Sequence, residues 1–305
     1  MRKAMLLCLV VALGVWAAVA GERHHSMNVT TNDNTSSEDC SVRLRVSSPE
    51  FESTFRDETV STVRNQPLTV RGERNGGIQV TTWDQPEFSI KLCKQVAADN
   101  ESAARRVLQE TKLQISGGDV SVSSPESSDD YSLGTLILVK APRGATMSLS
   151  VHNGGISLRK FDGTADAHTM NGGVSLNQST GKLTVEAQNG GVSIKDCSGD
   201  VNARVQNGGV SITLPEQWSG KGLEAHAQNG GMTISVPRNF GASLEVTGSN
   251  HVPIVCKGDI CDSGQRTWDN GHKIFRLGGS GPQVRASTVN GGIVIQERGH
   301  ERAEM

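Results

Sequence analysis

The segment "AQNGGVSI", residues 187–194, belongs to a repeat that decides how this chain folds. The pattern Asn-Gly-Gly-apolar-x-apolar occurs seven times in the 305 residues, and its central copies recur at a constant interval of 18 residues. A constant interval indicates a repeat architecture, because chance would not hold the register. The repeat asparagines are Asn75, Asn153, Asn171, Asn189, Asn207, Asn229 and Asn290.

Each copy of the repeat has the alternation of a half-buried strand. Val192 and Ile194 flank Ser193, and the other copies have the same kinds of residue at these positions. The exceptions are Gln79 in the first copy and Val294 in the last, which replace the hydroxyl. Apolar side chains therefore face the core and hydroxyls face out. Gly199 begins a second alternating run, and glycines stand at the same place in the two preceding units. Each unit thus predicts two short strands joined by glycine corners.

Two architectures fit such a unit. In a hairpin meander, Asn-Gly would form tight turns between antiparallel strands. In a β-solenoid, each unit is one coil, and equivalent residues stack about 4.8 Å apart. Stacked side-chain amides can hydrogen-bond along their column, which would explain why the asparagine is invariant from copy to copy. We therefore predict an all-β fold, a parallel β-helix (β-solenoid) of about 18-residue coils.

The position eight residues after the asparagine varies in size. It holds Phe161, Ser179 and Cys197, and Trp83 in the isolated upstream copy. A mixed column of this kind is typical of a filling position near a corner. We therefore expect Cys197 to be a buried structural residue rather than a reactive thiol.

Residues 40–145 lack the 18-residue period, and we predict that they form an N-terminal β-rich part that caps the solenoid. One short helix is predicted within residues 98–110, capped by Asp99 or Asn100. Ala103, Val107 and Leu108 are expected to share one face of this helix.

The remaining boundaries follow from composition. The basic start, apolar run and small residues of the first twenty positions are typical of a cleaved signal peptide, so no stable membrane span is expected after cleavage. The segments on either side of the β-rich region are polar and without periodicity. The predicted divisions are 1–20 (signal peptide), 21–39 (disordered leader), 40–145 (N-terminal part), 146–296 (repeats, with an insertion at about 237–280) and 297–305 (disordered tail).

The five cysteines left after processing predict disulfides rather than a metal site. Gly258-Asp259 forms a plausible turn between Cys256 and Cys261, and an exported protein can keep such a bond. We also expect a bond between Cys40 and Cys93. A zinc site would need a second closely spaced cysteine pair, which the sequence lacks.

The repeats resemble those of the bacterial putative-adhesin family of β-strand-repeat proteins. The likeness rests on the spaced Asn-Gly-Gly units, "VRLRV" after Cys40, "IKLCK" around Cys93 and "STVNGGIVI" near the end. It covers roughly residues 40–296. The resemblance implies a parallel β-helix and an exported location, and it implies no catalytic residues, because the function of this family is largely unknown.

The sequence favours an exported, non-enzymatic structural or binding module of the cell envelope, with no cofactor. A net charge near −4 after processing and the absence of a basic stripe argue against nucleic-acid binding. The expected partner is an envelope or extracellular protein or a glycan. Trp218 and Trp268 interrupt the repeats and are candidate contact residues, unless they pack under their own loops.

Two alternatives stay open. A carbohydrate-active enzyme on the same fold would need clustered carboxylates on neighbouring coils. The histidines at 152, 168 and 226 are expected in non-equivalent columns, which would exclude a stacked histidine site. An envelope-stress or sensor component that binds a peptide or lipid would need a groove beside the 237–280 insertion.

Overall fold

The computed structural model describes residues 28–31, 40, 44–47, 53–128, 130–278 and 283–298. The predicted signal peptide, residues 1–20, lies outside the described residues. The described chain is all-β with one short α-helix and a 3-10 turn, Asp259–Ser263. None of its helices has the length and apolar character that crossing a bilayer would require.

The strands are numbered in chain order. The N-terminal part contains β1 (Asn28–Thr31), β2 (Leu44–Ser47), β3 (Ser53–Arg64), β4 (Leu68–Arg71), β5 (Gly76–Trp83), β6 (Glu87–Ala98), α1 (Glu101–Glu110), β7 (Lys112–Ser116), β8 (Asp119–Ser123) and β9 (Tyr131–Pro142). The repeats contain β10 (Ala145–Asn153), β11 (Ile156–Arg159), β12 (Asp162–Asn171), β13 (Val174–Asn177), β14 (Thr180–Asn189), β15 (Val192–Lys195), β16 (Asp200–Asn207), β17 (Val210–Thr213), β18 (Gly222–Asn229) and β19 (Met232–Val236). The C-terminal part contains β20 (Ser243–Ser249), β21 (Ile254–Lys257), β22 (Gln265–Asp269), β23 (His272–Leu277), β24 (Gln283–Asn290) and β25 (Ile293–Glu297).

Most strands belong to two large mixed sheets. The first has twelve strands in the order β22-β23-β20-β24-β18-β16-β14-β12-β10-β4-β8-β7. The second has eleven strands in the order β21-β25-β19-β17-β15-β13-β11-β5-β9-β6-β3. Apolar side chains from both sheets form one continuous core that runs from Val63 to Ile295.

Successive repeats pair parallel and in register. Val174 lies beside Val192 and Ser175 beside Ser193, and the same register continues through the neighbouring strands. A hairpin meander would pair these strands antiparallel, so that alternative is wrong for the repeats. The filling position is buried in the repeats, where it holds Phe161, Ser179 and Cys197, whereas Trp83 in the upstream copy is only partly buried.

The order of strands in space departs from their order in the chain at both ends. Strands β4 and β5 pair with β10 and β11, although the whole of β6 to β9 lies between them in sequence. At the other end, β24 and β25 insert between β18/β19 and β20/β21. The described part of the insertion, residues 237–278, therefore forms the outermost layer, and the last repeat returns to fill the layer beneath it.

From Gly154 onward, the first glycine of each Asn-Gly-Gly corner is required by this stacking. A Cβ added at Gly190 would lie 1.9 Å from the carbonyl oxygen of Gly172, and one at Gly172 would lie 1.9 Å from that of Gly154. Backbone at the corner therefore contacts backbone in the next layer directly. At the second corner, Gly181 and Gly199 take the positive φ predicted for glycine. Three residues before each corner glycine, Lys160, Gln178 and Asp196 also take a left-handed conformation without being glycine.

The helix is shorter than the predicted range. It begins after Asn100, whose side chain accepts a hydrogen bond from the backbone N–H of Ala103, so Asn100 is the cap. Its buried residues are Ala104, Val107 and Leu108, and Ala103 is only partly buried. Ala103 packs against the same cluster as Val107 and Leu108, so the predicted face is confirmed, and the structure adds the fully buried Ala104 to it.

Two predicted boundaries also need correction. The leader, residues 21–39, contains β1, which pairs antiparallel with β2, so backbone pairing overrides its polar composition. The C-terminal tail was predicted to begin at 297, but Glu297 ends β25 and is buried. The two disulfides, Cys40–Cys93 and Cys256–Cys261, are both present.

Candidate functional site

The repeat asparagines form one hydrogen-bonded ladder along the corner between the two sheets. Each side-chain amide nitrogen donates to the amide oxygen of the asparagine in the layer before it, over 2.9–3.1 Å. The ladder runs through Asn75, Asn153, Asn171, Asn189, Asn207, Asn229 and Asn290. At its last rung, His251 Nε2 lies 3.2 Å from Asn290 Oδ1. The ladder accounts for the asparagine as an architectural residue.

A long groove lies beside this ladder, on the outer face of the eleven-stranded sheet. Its floor is the column that contains Ser157, Ser175, Ser193, Ser211 and Thr233, with one glycine shelf along its side. The glycines of the shelf are Gly155, Gly173, Gly191, Gly209, Gly231 and Gly292. Because glycine has no side chain, the backbone along this glycine column is exposed, and the space that side chains would fill forms the groove.

The groove is long, shallow and uncharged. Its volume is about 960 Å³, and none of the described residues that line it is charged. The residues of its floor come from seven neighbouring strands, from Gln79 in β5 to Val294 in β25. Six inter-strand spacings of about 4.8 Å give a length of about 29 Å. An extended ligand fits this shape better than a compact one.

The floor of the groove changes character along its length. At the N-terminal end, Ser157 is 6% exposed, and its buried Oγ has no hydrogen-bond partner among the described residues. In the middle, Ser193 and Ser211 are exposed. At the C-terminal end the column becomes apolar, because Val294 follows Thr233 and the exposed Val255 lies beside Val294.

The outer face of the twelve-stranded sheet is charged instead. His168 lies 2.8 Å from Asp166 and 3.3 Å from Glu186, and Arg204 lies 3.8 Å from Glu186. The pairing register places His168, Glu186, Arg204 and His226 in one column. The expectation that His168 and His226 fall in non-equivalent columns was wrong, since each precedes its repeat asparagine by three residues; His152 does stand in another column.

The two tryptophans differ in their surroundings. Trp218 is partly buried against the main core, and its indole N–H donates to the carbonyl of Gly220 over 3.1 Å. Trp268 is 62% exposed on β22, with Lys273 Nζ 5.5 Å from its ring centre. This geometry favours a packing role for Trp218 and leaves Trp268 available as a contact residue.

The remaining candidates for chemistry are weak. Cys197 is a free cysteine and is buried, and its burial raises the pKa of the thiol to about 11. Within the described ranges, no group of three or more His, Cys, Asp or Glu side chains is placed to hold a metal ion. A hollow beside the insertion, lined by Glu245, Gln265 and Arg276 among others, has a volume of about 200 Å³. That is below the usual size of a small-molecule site, roughly 300–1,000 Å³.

No family model and no curated protein matches this chain. Among solved structures, the chain is similar to a putative cell adhesion protein from Clostridium sporogenes ATCC 15579, at 10% identity and a TM-score of 0.31, over 80% of this chain and 100% of that one. It is similar to a putative adhesin from Bacteroides fragilis NCTC 9343, at 8% identity and a TM-score of 0.36, over 79% and 97%. It is also similar to a putative lipid binding protein from Parabacteroides distasonis ATCC 8503, at 8% identity and a TM-score of 0.25, over 81% and 97%. These likenesses are too distant to assign a ligand.

Proposed function

We propose that this protein is an exported, non-enzymatic binding module of the cell envelope, adhesin-like in architecture and built as a β-solenoid. The parallel in-register pairing of the repeats in both sheets supports the solenoid. The two disulfides support export, because such bonds persist in oxidising compartments.

The uncharged groove beside the asparagine ladder is the observation that carries this proposal. The surface is about 29 Å long, its floor contains a column of five hydroxyl side chains, and bare backbone borders it. It therefore offers several weak hydrogen bonds to an elongated neutral ligand. The ligand is a glycan chain or an extended polypeptide. The absence of charged lining residues, within the described part of the chain, suits binding better than acid–base catalysis.

The carbohydrate-active alternative has one observation in its favour. Asp166 and Glu186 stand on neighbouring strands and both contact His168, on the face opposite the groove. All three side chains are about half exposed, and Glu186 also faces Arg204. A glycosidase needs one carboxyl group with a raised pKa in a shielded cleft. An open, ion-paired surface does not provide that environment.

The test uses the mature chain, residues 21–305, with purified envelope material. We expect the protein to be retained on that material and to release neither reducing sugar nor peptide from it. Release of either product, abolished in a variant with Asp166→Asn and Glu186→Gln, would replace the proposal with the enzymatic alternative. Failure to be retained on any envelope fraction would contradict the binding role.

A further inference from the structure

The Asn-Gly dipeptide can modify itself, and this chain contains eight copies of it. Seven belong to the repeats, and the eighth is Asn270-Gly271. In the reaction, the backbone nitrogen of the glycine attacks the side-chain carbonyl carbon of the asparagine, and glycine permits the approach because it has no Cβ. The new C–N bond closes a five-membered succinimide, and the amide nitrogen leaves as ammonia, taking the proton of the glycine N–H. Water then opens the ring to aspartate or to isoaspartate.

In the repeats, the stack holds both reacting groups. The side-chain amides belong to the ladder, and the glycine nitrogens donate to the next layer. The N–H of Gly172 donates to the backbone carbonyl of Asn189 over 3.0 Å, and that of Gly190 donates to the carbonyl of Asn207 over 2.9 Å. The same bond is made by Gly154, Gly208 and Gly230. At these corners, the asparagine side chain reaches the glycine nitrogen only when the corner separates from the layer beside it.

Asn270-Gly271 lies in an open turn instead. The two residues connect β22 to β23, and the residues that flank them, Asp269 and His272, pair with each other. The φ angle is 47° at Asn270 and 78° at Gly271, so both residues are left-handed, as in a two-residue hairpin turn. Both are exposed, and a Cβ added at Gly271 would meet no heavy atom within 4 Å beyond its chain neighbours. Space for the reaction is therefore available.

The side chain of Asn270 is also free to move. Its amide has no hydrogen-bond partner within the part of the chain that the structure describes, and the backbone carbonyl of the residue lies 3.1 Å from His272 Nδ1. The adjoining strand, β22, is the last of the twelve-stranded sheet, and all five of its residues are exposed. A segment with few buried contacts opens locally at a low free energy. The turn can therefore change its backbone angles while the core stays closed.

We infer that Asn270 is a site of spontaneous modification, where the folded protein converts asparagine to aspartate and isoaspartate, and that the ladder protects the seven repeat asparagines from the same reaction. The product carries a carboxylate beside that of Asp269, so the tip of the hairpin becomes more acidic. The same hairpin carries the exposed Trp268. The modification does not depend on what the groove binds.

The experiment follows all eight asparagines in one sample. The mature chain is incubated at mildly alkaline pH, and peptides are taken at intervals for mass spectrometry, which detects the exchange of an amide for an acid at each position. We expect Asn270 to react at least about tenfold faster than any repeat asparagine, because the hairpin opens more readily than the stack. The isoaspartate and aspartate forms of the Asn270 peptide are separated by chromatography, and both are expected.

Two controls separate structure from sequence. Unfolded in denaturant, all eight asparagines are expected to react at similar rates, because each is followed by glycine. In the folded state, Asn270→Gln is expected to remove most of the ammonia that the wild type releases, since ring closure from the longer side chain is unfavourable. An unmodified Asn270 in the folded wild type, repeat asparagines that react as fast as Asn270, or repeat asparagines that stay slow after unfolding would overturn the inference.

Discussion

Asn153 Nδ2 lies 2.9 Å from Asn75 Oδ1, although 78 residues separate the two asparagines in the chain. The isolated upstream copy of the repeat is therefore the first rung of the same ladder. The chain leaves the stack after that rung, builds the N-terminal layers beyond it and returns to continue. The corner thus ties the N-terminal part to the repeats by the same contact that ties the repeats to one another.

The corner glycines are predicted to differ in their tolerance of a methyl group. Gly190→Ala should lower the free energy of unfolding by more than about 3 kcal/mol, because the new Cβ would lie 1.9 Å from the carbonyl oxygen of Gly172. Gly209→Ala is the control, since its Cβ would meet its nearest atom at 3.5 Å. Its cost should stay within about 1 kcal/mol. Denaturant unfolding measures both. Similar costs for the two variants would contradict direct backbone stacking at the corner.

Lys94 is predicted to stabilise the N-terminal part through its charge. Its ammonium is buried and lies 3.0 Å from the carbonyl of Leu108, 3.3 Å from that of Thr111 and 2.6 Å from Asp57. Lys94→Met keeps the length of the side chain but leaves these groups without their donor, so it should cost about 2–3 kcal/mol. Lys112→Met, at an exposed position, is the control. If Lys94→Met and Lys112→Met lower the free energy of unfolding by the same small amount, the buried ammonium of Lys94 does not contribute to stability.

The sequence predicts the repeats well and the ends poorly. The interval of 18 residues and the alternation around Ser193 are local signals, so they identify the strands, their inward faces and the stacked asparagines. The layer that contains Asn75 pairs with a layer 78 residues later in the chain, and the layer that contains Asn290 pairs with one 61 residues earlier. No local sequence signal indicates which layer a strand will join after such a long separation. Lys94 could not have been predicted as a buried residue from the sequence. A lysine on the inner side of β6 is stable there because carbonyl groups in and directly after α1 accept hydrogen bonds from its ammonium.

The functional surfaces were less predictable than the fold. The hydroxyl column was visible in the sequence, but the groove also requires the glycine shelf beside it. A second pocket is lined by Lys91, Lys140 and Arg159, which the sequence scatters over three strands. Their convergence depends on β9 pairing between β5 and β6. The shared column of His168 and His226 could have been found by counting back from the repeat asparagines.

Cys197 is predicted to be unreactive in the folded protein and to make stability depend on pH. Burial raises the pKa of its thiol from 9.0 to about 11. Because the folded-state pKa lies above the unfolded value, the contribution of the neutral thiol is complete below about pH 8.5. This contribution to the free energy of unfolding, about 3 kcal/mol at most, is lost as pH rises to 11. Unfolding free energies of the wild type and Cys197→Ala across this range isolate the effect. Parallel curves, or rapid alkylation of the folded protein at pH 8, would refute it.

Substitution of Trp218 is predicted to lower stability, whereas substitution of Trp268 is predicted to weaken binding. Trp218→Ala should lower stability by about 2 kcal/mol or more, since the ring packs against the core. Trp268→Ala should leave the melting temperature unchanged and reduce retention on envelope material, because its exposed ring is available to a partner. Both properties are measured for each variant. Unchanged retention with Trp268→Ala would remove this residue from the binding surface.

The most direct test of the account is to block the groove at its centre. Ser193→Arg places a long charged side chain on the exposed floor, and Thr184→Arg places the same side chain on the outer face of the other sheet. Binding of the labelled mature protein to envelope material is measured for both variants, together with their melting temperatures. The account predicts that Ser193→Arg binds at least about tenfold more weakly while Thr184→Arg binds like the wild type, with both folds intact. Wild-type binding by Ser193→Arg would contradict the groove as the binding surface.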